Sequence, residues 1–157
     1  MALAKLRKHL DENEVKYVII THSLAYTAQE IAASAHISGR ELAKTVMVRA
    51  DGEMMMAVLP AAFKIDFGHL QAALGVSQVE MVQEDDFADR FPDCEVGAMP
   101  PFGNLYDLKV LVATTLTEDT EIAFNAGTHR ELIRMTYADF ERLVQPRVVD
   151  FSQLVHA

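Results

Sequence analysis

The fold is decided by the stretch Lys44-Thr45-Val46-Met47-Val48-Arg49, which is followed by Asp51-Gly52 and then by Met54-Met55-Met56-Ala57-Val58-Leu59. Two apolar runs rich in β-forming residues flank a dipeptide that tolerates the positive φ of a tight turn. The sequence therefore predicts a β-hairpin, with Lys44 at the start of its first strand. The three consecutive methionines are expected to belong to the core of the sheet rather than to a ligand surface.

Helices are predicted where apolar residues recur at helical spacing or where a capping residue opens a segment. They cover the first dozen residues, a segment from Thr27 through about Ser34, and residues 66–74, 84–91 and 136–144. Further strands are predicted at residues 17–20, 110–112, 121–124 and 132–135. Because helices are interspersed with hairpins, the order predicts an α+β fold in one domain spanning 1–157, with a mixed, mainly antiparallel sheet that curls toward a barrel with flanking helices.

Composition narrows the class of protein. The chain has 157 residues, half of them hydrophobic, and its 14 Lys+Arg against 23 Asp+Glu give a formal net charge of −9. Such a charge disfavours wrapping of a nucleic-acid duplex, so any nucleic-acid contact is expected to be local, and DNA is not an expected partner. No run approaches the roughly 20 apolar residues of a membrane span, and we expect a cytoplasmic protein without a membrane partner.

Common catalytic motifs are missing from the sequence. It contains no dinucleotide-binding glycine motif, no phosphate loop, no His-Glu-x-x-His and no Cys-x-x-Cys, so we expect neither a metal nor an organic cofactor. No serine has the glycine-flanked turn of a nucleophile. Cys94 is the only cysteine, which excludes an intrachain disulfide, and its expected role is that of a reduced, small apolar side chain.

A distinctive loop remains, Gly97-Ala98-Met99-Pro100-Pro101-Phe102-Gly103. Its two prolines fix φ, and Gly97 permits close approach of the backbone to a ligand. The amides of Gly97, Ala98 and Met99 are therefore candidate hydrogen-bond donors. Taken alone, such a loop more often merely connects strands.

Four ordered segments together resemble the YbaK/prolyl-tRNA-synthetase-associated domain family of aminoacyl-tRNA editing domains. The segments are His22 with Thr27 and Glu30; Leu42-Ala43-Lys44-Thr45-Val46; Gly97 with Pro101-Phe102-Gly103; and Phe124-Asn125-Ala126-Gly127-Thr128-His129 leading to Ile133-Arg134-Met135. The resemblance covers nearly the whole chain. One departure is Val112-Ala113-Thr114, where relatives often carry an acidic residue, and this puts a carboxylate contribution from that position in doubt.

The resemblance implies a deacylase that hydrolyses the ester of mischarged tRNA carrying a small amino acid such as Ala, Cys, Ser or Thr. It assigns catalytic roles to Lys44, Gly97 and His129, although a lysine at a strand end is usually only solvated and His129 could relay a proton or simply support the loop. Backbone amides near Gly97 would stabilise the developing oxyanion, and Lys44 would hold the terminal phosphate or the ester. We predict that substrate is bound by His22, Tyr26, Thr27, Ala98, Met99, Pro100, Pro101, Phe102, Gly127 and Thr128, of which the resemblance itself implies Pro101 and Gly127. Tyr26 could instead be a packing residue, and Thr27 could serve as a helix cap.

Two other functions stay open at this point. One is a noncatalytic module that binds aminoacyl-tRNA or a synthetase, and the other is a hydrolase of small amino-acid esters. The expected partner is the aminoacyl-tRNA acceptor end, with an aminoacyl-tRNA synthetase as a second candidate. Neither the amino acid nor the tRNA follows from the sequence. A small positive rim is predicted from Arg40, Lys44, Arg49, Lys64, Arg130 and Arg134.

Overall fold

A computed structural model describes residues 3–23, 28–35 and 37–154. Within these ranges the helices are α1 (Ala4–Glu12), α2 (Ala28–Ala35), α3 (Phe67–Leu74), α4 (Glu84–Phe87) and α5 (Tyr137–Val144). The strands are β1 (Tyr17–Thr21), β2 (Leu42–Ala50), β3 (Glu53–Pro60), β4 (Phe63–Ile65), β5 (Val79–Met81), β6 (Lys109–Ala113), β7 (Glu121–Asn125), β8 (Glu131–Thr136), β9 (Arg147–Val149) and β10 (Ser152–Leu154).

The predicted hairpin forms the centre of the molecule. Strands β2 and β3 pair antiparallel from Ala43 opposite Pro60 to Ala50 opposite Glu53. The turn residues Asp51 and Gly52 have φ values of 47° and 88°. This left-handed geometry at both positions matches the right-handed twist of the strands, which explains why the Asp-Gly dipeptide fixes the register.

The remaining strands extend the sheet on both sides of this hairpin, in the order β1-β8-β7-β2-β3-β6-β9, with β5 also paired to β2. The β2–β7, β3–β6 and β6–β9 pairs are parallel, and the other pairs of the sheet are antiparallel. The predicted α+β class with a mixed, mainly antiparallel sheet is therefore confirmed. Strands β4 and β10 form a separate two-stranded sheet.

Strand β3, near the centre of the sheet, is buried on both faces over most of its length. Met56 and Val58 of β3 pack into one hydrophobic cluster, while Met55, Ala57 and Leu59 pack into a second cluster on the opposite face. The alternation follows from the two-residue period of a strand. The methionine run thus contributes to core packing on both faces, as predicted.

Capping residues set several helix ends where the sequence places them. The Asp66 carboxylate accepts a hydrogen bond from the His69 amide at the start of α3, and Gly75 ends that helix in the left-handed conformation. Likewise, the Thr136 hydroxyl caps α5 through the Asp139 amide. Thr27, the predicted cap of α2, lies outside the described residues.

The acidic helix predicted over residues 84–91 is wrong in its length. Helix α4 ends at Phe87, where φ is −121°, and a single 3₁₀ turn continues the chain. Phe87 and Phe91 are both buried and meet edge to face with ring centroids 6.3 Å apart. Helical propensity is weak in so short a segment. Packing of the two rings therefore determines the backbone conformation here.

Among the described helices, none has the length and apolar character needed to cross a bilayer.

Candidate active site

A cavity of about 290 Å³ opens between strand β2 and the loop that contains Gly97. It brings together two of the segments that the sequence singled out, because Lys44 and Gly97 both line it. The described lining residues are Ile31, Lys44, Thr45, Val46, Met47, Met81, Val82, Glu84, Phe87, Gly97, Met99 and Asn125.

Lys44 reaches this cavity from the third position of β2, where it lies opposite Leu59 of β3. Its side chain is half-buried, and its Nζ donates a long hydrogen bond of 3.4 Å to the Ala61 carbonyl. Burial lowers the pKa of Lys44 because the ammonium loses hydration. Since Lys44 forms no ion pair with any described residue, an anion bound in the cavity would compensate for that lost hydration.

Gly97 and Met99, two residues of the Gly97 loop, line the same cavity. Gly97 has a φ of 86°, a conformation that favours glycine. In the described part of the chain, the N–H groups of Gly97 and Met99 donate to no acceptor. The Ala98 amide does not serve as the donor predicted for it, because it is bonded to the Glu95 carbonyl at 3.0 Å.

A second glycine loop supports the first. The Glu95 amide donates to the Gly127 carbonyl at 2.8 Å, and the Gly127 amide donates to the Ala98 carbonyl at 2.9 Å. Gly127 has a φ of 95°, and a Cβ at this position would lie 3.1 Å from Leu3 Cβ. The Gly127 loop is thus fixed to both the Gly97 loop and the chain near the start of α1.

His129 is hydrogen-bonded to the chain that leads into the Gly97 loop. Its Nε2 donates to the Val96 carbonyl at 2.8 Å, and its backbone amide donates to the Glu95 carboxylate at 2.6 Å. The ring is buried, and its Cε1 lies 3.6 Å from the position that a Cβ on Gly97 would occupy. Because a carbonyl oxygen can only accept, Nε2 carries the proton of this hydrogen bond. These contacts indicate that the His129 ring positions the Gly97 loop.

Other predicted residues lie around the cavity rather than on it. Phe102 is fully buried in the core, with its ring centroid 5.6 Å from that of Phe124 and 5.5 Å from that of Phe140. The loop residues between the cavity wall and Phe102 are also buried, among them Ala98, Pro100 and Pro101.

His22 and Thr128 are hydrogen-bonded to residues that do not line the cavity. The His22 amide donates to the Arg130 carbonyl at 2.8 Å, and its Nδ1 lies 2.7 Å from the Ser23 carbonyl. The Thr128 hydroxyl lies 3.5 Å from the Glu131 carboxylate and accepts from the Arg130 amide. Tyr26 and Thr27, which were also predicted to bind substrate, lie outside the described residues.

The structure adds cavity residues that the sequence analysis did not select, above all Glu84 and Asn125. Strand β5 pairs with β2, and the Val82 amide then donates to the Met47 carbonyl at 2.9 Å, which places the start of α4 beside the cavity. Three-residue strands carry too short a pattern to be recognised in the sequence. Asn125 could have been selected from the sequence, because it lies within the segment 124–129 that carries the resemblance.

Two of the six residues of the predicted positive rim form ion pairs with glutamates. Arg49 pairs with Glu80 at 3.6 Å, and Arg134 pairs with Glu41 at 3.2 Å. Arg40 stacks over the Phe63 ring at 5.4 Å. Among the described residues that line the cavity, Lys44 is the one cation.

Two further features are separate from this site. Burial raises the pKa of Cys94 to about 11, so its thiol stays protonated at neutral pH, in agreement with the expected inert role. A larger cavity of about 610 Å³ is lined by Glu53, Lys109, Arg147 and apolar neighbours, and it includes none of the predicted site residues. The described residues contain no group of three or more side chains suited to hold a metal ion.

The fold and the cavity agree with a family match. Residues 22–143 match the model of the aminoacyl-tRNA editing domain, and the chain belongs to this family. The resemblance noted from four sequence segments is thereby confirmed.

Named relatives cover almost the full chain. The Escherichia coli K12 protein named multifunctional Ser/Thr-tRNA deacylase ProXp-y is 25% identical over 149 residues, covering 92% of this chain and 89% of that protein. The prolyl-tRNA editing protein ProX of Acetoanaerobium sticklandii is 25% identical over 142 residues, covering 87% and 86%. A crystal structure described as a candidate trans-editing enzyme for prolyl tRNA synthetase superposes with a TM-score of 0.79 at 18% identity, over 95% of both chains.

Proposed function

We propose that this protein is a freestanding aminoacyl-tRNA deacylase that hydrolyses the ester of mischarged tRNA carrying a small amino acid. The observation that carries the proposal is the shared cavity, where the Lys44 ammonium and the unbonded Gly97 and Met99 amides occur together. Membership of the editing-domain family and the names of its relatives support the same reaction.

The reaction needs no covalent nucleophile from the protein. An aminoacyl ester is activated by its α-ammonium and by the neighbouring ribose hydroxyl. A water oxygen attacks the carbonyl carbon, the bond to the ribose oxygen breaks, and that oxygen takes a proton, so that free amino acid and deacylated tRNA result. Positioning and electrostatics are then the main contributions of the protein.

The backbone amides and Lys44 divide these tasks. In the proposed complex, the Gly97 and Met99 N–H groups face the carbonyl oxygen as negative charge develops there. One such donor typically contributes about 100-fold or more in rate. Lys44 provides the positive charge that binds the terminal phosphate or the ester oxygen. Its half-buried ammonium has one long hydrogen bond among the described residues, which favours an anionic partner.

His129 takes a positioning role in this proposal, because its Nε2 is bonded to the Val96 carbonyl beside Gly97. His22 and Gly127 likewise support the loops around the cavity through their backbone hydrogen bonds.

Selection of a small amino acid follows from the size and lining of the cavity. Its volume of about 290 Å³ is at the lower end of small-molecule sites, and Ile31, Val46 and Phe87 supply apolar walls. One methylene in such a site is worth about 1–3 kcal/mol, so larger side chains are excluded sterically rather than by a specific contact.

Contacts with tRNA are confined to its acceptor end. The chain carries a net charge of −9, and two of the predicted rim arginines are engaged by glutamates. Few phosphates are neutralised, so we expect weak binding with a shallow salt dependence and help from an aminoacyl-tRNA synthetase. Because its substrate is an intermediate of translation, the proposal places the protein in the cytoplasm.

The proposal is tested by incubating the purified protein with tRNAs mischarged with Ala, Cys, Ser, Thr and a larger residue. Loss of the ester is followed for the wild type, Lys44→Ala and Lys109→Ala. Lys109 is exposed, pairs with Glu53 at 3.1 Å and lines a different cavity, so its variant controls for the loss of one positive charge. We expect deacylation of at least one small amino acid, at least 100-fold slower in Lys44→Ala and unchanged in Lys109→Ala.

The alternatives predict different outcomes in the same assay. Binding of aminoacyl-tRNA without hydrolysis would indicate a noncatalytic module. Efficient cleavage of free aminoacyl esters with no gain from tRNA would indicate a small-ester hydrolase. Unchanged activity in Lys44→Ala would remove the role given to that residue.

A further inference from the structure

A carboxylate lies beside the Gly97 loop on the cavity wall. Glu84 is the one acidic side chain among the described lining residues. A Cβ on Gly97 would lie 3.8 Å from Glu84 Oε1, so the carboxylate is next to the backbone whose N–H groups have no acceptor among the described residues. Nothing in the proposed oxyanion chemistry uses this group.

The carboxylate is also unengaged. Glu84 forms no ion pair or side-chain hydrogen bond with any described residue, and Lys44 on the same cavity donates instead to the Ala61 carbonyl. A negative charge at this place repels the phosphates of an acceptor end, which is unfavourable for tRNA binding. A carboxylate here therefore needs a cationic partner in the complex to offset that repulsion.

The substrate itself carries such a cation. The α-ammonium of an aminoacyl ester is bonded to the carbon next to the ester carbonyl, so a carbonyl oxygen on the Gly97 and Met99 amides brings the ammonium close to the facing wall. An ammonium offers three hydrogen-bond donors and requires acceptors. Besides Glu84, the cavity wall includes Asn125, whose Oδ1 is buried without a donor in the described part of the chain.

We propose that Glu84, with Asn125 as a second acceptor, binds the α-ammonium of the substrate and makes the site selective for esters with a free α-amino group over N-acylated ones. This inference rests on the proposed function, because it assigns a further residue of the same cavity. Relatives often carry an acidic residue where this chain has Val112-Ala113-Thr114. In this proposal Glu84 provides a carboxylate from a different element of the fold.

Asp85 provides a matched control. It follows Glu84 on the same short helix and is exposed, yet it lines only an outer depression and not the cavity. Glu84→Gln and Asp85→Asn therefore remove the same charge from the same helix turn. Glu84 is itself exposed, so we expect both variants to fold with unchanged thermal midpoints.

The kinetic experiment compares tRNA charged with a small amino acid and the same aminoacyl-tRNA after N-acetylation. We expect the wild type to prefer the free amine, and Glu84→Gln to lose about 10-fold or more in kcat/KM for the free amine only. Asp85→Asn should match the wild type. An unchanged preference in Glu84→Gln, or an equal loss on both substrates, would overturn the assignment.

A binding experiment separates this inference from the proposed function. The probe is an aminoacyl amide analogue of the terminal adenosine, which cannot be hydrolysed, prepared with a free and with an acetylated α-amine. Weaker binding of the free-amine probe alone in Glu84→Gln supports the inference even if the protein hydrolyses nothing, in which case only the proposed function fails. Equal affinities of the wild type and Glu84→Gln for the free-amine probe would refute it while leaving deacylation intact.

Discussion

The two glycine loops beside the cavity each contain a glycine with positive φ, and they differ in the hydrogen bonds that their backbones make. Gly97 and Gly127 both have left-handed φ values, 86° and 95°. Gly97 is exposed, and its amide has no acceptor among the described residues, whereas Gly127 is buried and its amide is bonded to the Ala98 carbonyl.

This difference in hydrogen bonding shows that a glycine with positive φ is not by itself a sign of ligand binding. At Gly127 the missing side chain makes room for Leu3, and the backbone is fully used in joining the loops. At Gly97 the N–H group has no acceptor among the described residues, and it lies beside a cavity that also holds a lysine. We therefore propose that the first loop takes part in the chemistry and that the second loop supports it.

The largest effect is expected for Gly97→Ala. A Cβ at this position meets only ordinary contacts, 3.6 Å to His129 Cε1 and 3.8 Å to Glu84 Oε1, but the left-handed φ is strained for alanine. Relaxation of that strain turns the amide away from the substrate. We expect deacylation to fall about 100-fold with a stability loss of only about 1 kcal/mol, measured by single-turnover rates and chemical denaturation.

Gly127→Ala is expected to reduce stability more than it reduces activity, the reverse of Gly97→Ala. The added Cβ combines a strained φ with an approach of 3.1 Å to Leu3, and it weakens the link between the loops. We expect a stability loss of about 2–3 kcal/mol, with a smaller change in rate per folded molecule than in Gly97→Ala. If Gly127→Ala were as stable as the wild type but inactive, the division of roles between the loops would be reversed.

A smaller effect is expected when the support beneath the Gly97 loop is removed. His129→Ala deletes the hydrogen bond to the Val96 carbonyl, so we expect about a 10-fold loss in kcat from a loosened loop. The pH–rate profile distinguishes positioning from proton transfer: a positioning role leaves its shape unchanged. Disappearance of a titrating limb in His129→Ala would identify His129 as an acid or base instead.

The smallest effect concerns stability away from both loops. Burial, with the carboxylates of Glu41 and Glu118, raises the pKa of Asp119 to about 6 from an ordinary value of 3.8. The folded state then binds more protons than the unfolded state between about pH 4 and pH 6, so stability falls as the pH rises through this window.

Asp119→Asn removes this penalty, and we expect it to stabilise the protein by roughly 1 kcal/mol at neutral pH, after allowance for solvent screening of a partly exposed group. The gain should shrink toward pH 4, and activity should not change. Thermal denaturation at several pH values checks this, and a gain independent of pH would contradict the cause given.

Much of the fold could be predicted because its signals are local. The Asp51-Gly52 turn and the helix start at Thr136 each depend on a few neighbouring residues, and both are present in the structure. The three-residue strands β4, β5, β9 and β10 were missed, because pairing partners far along the chain stabilise them and no periodicity marks them.

The site could be predicted only in part for the same reason. Lys44 and Gly97 carry local signals of strand and turn, and the structure places them on one cavity. Glu84 reaches it only through the pairing of β5 with β2, which the sequence does not reveal. Phe102 was included through its place in the loop, but a large apolar side chain after two prolines packs into the core.

The contrast between the glycine loops can be tested directly by amide NMR of the wild type during titration with the nonhydrolysable aminoacyl amide analogue of the terminal adenosine. We expect the Gly97 and Met99 amide resonances to shift as new hydrogen bonds form, while the resonance of the already bonded Gly127 amide stays nearly unchanged. A shift confined to Gly127, with Gly97 and Met99 unmoved, would contradict the claim that the Gly97 loop presents its donors to the substrate.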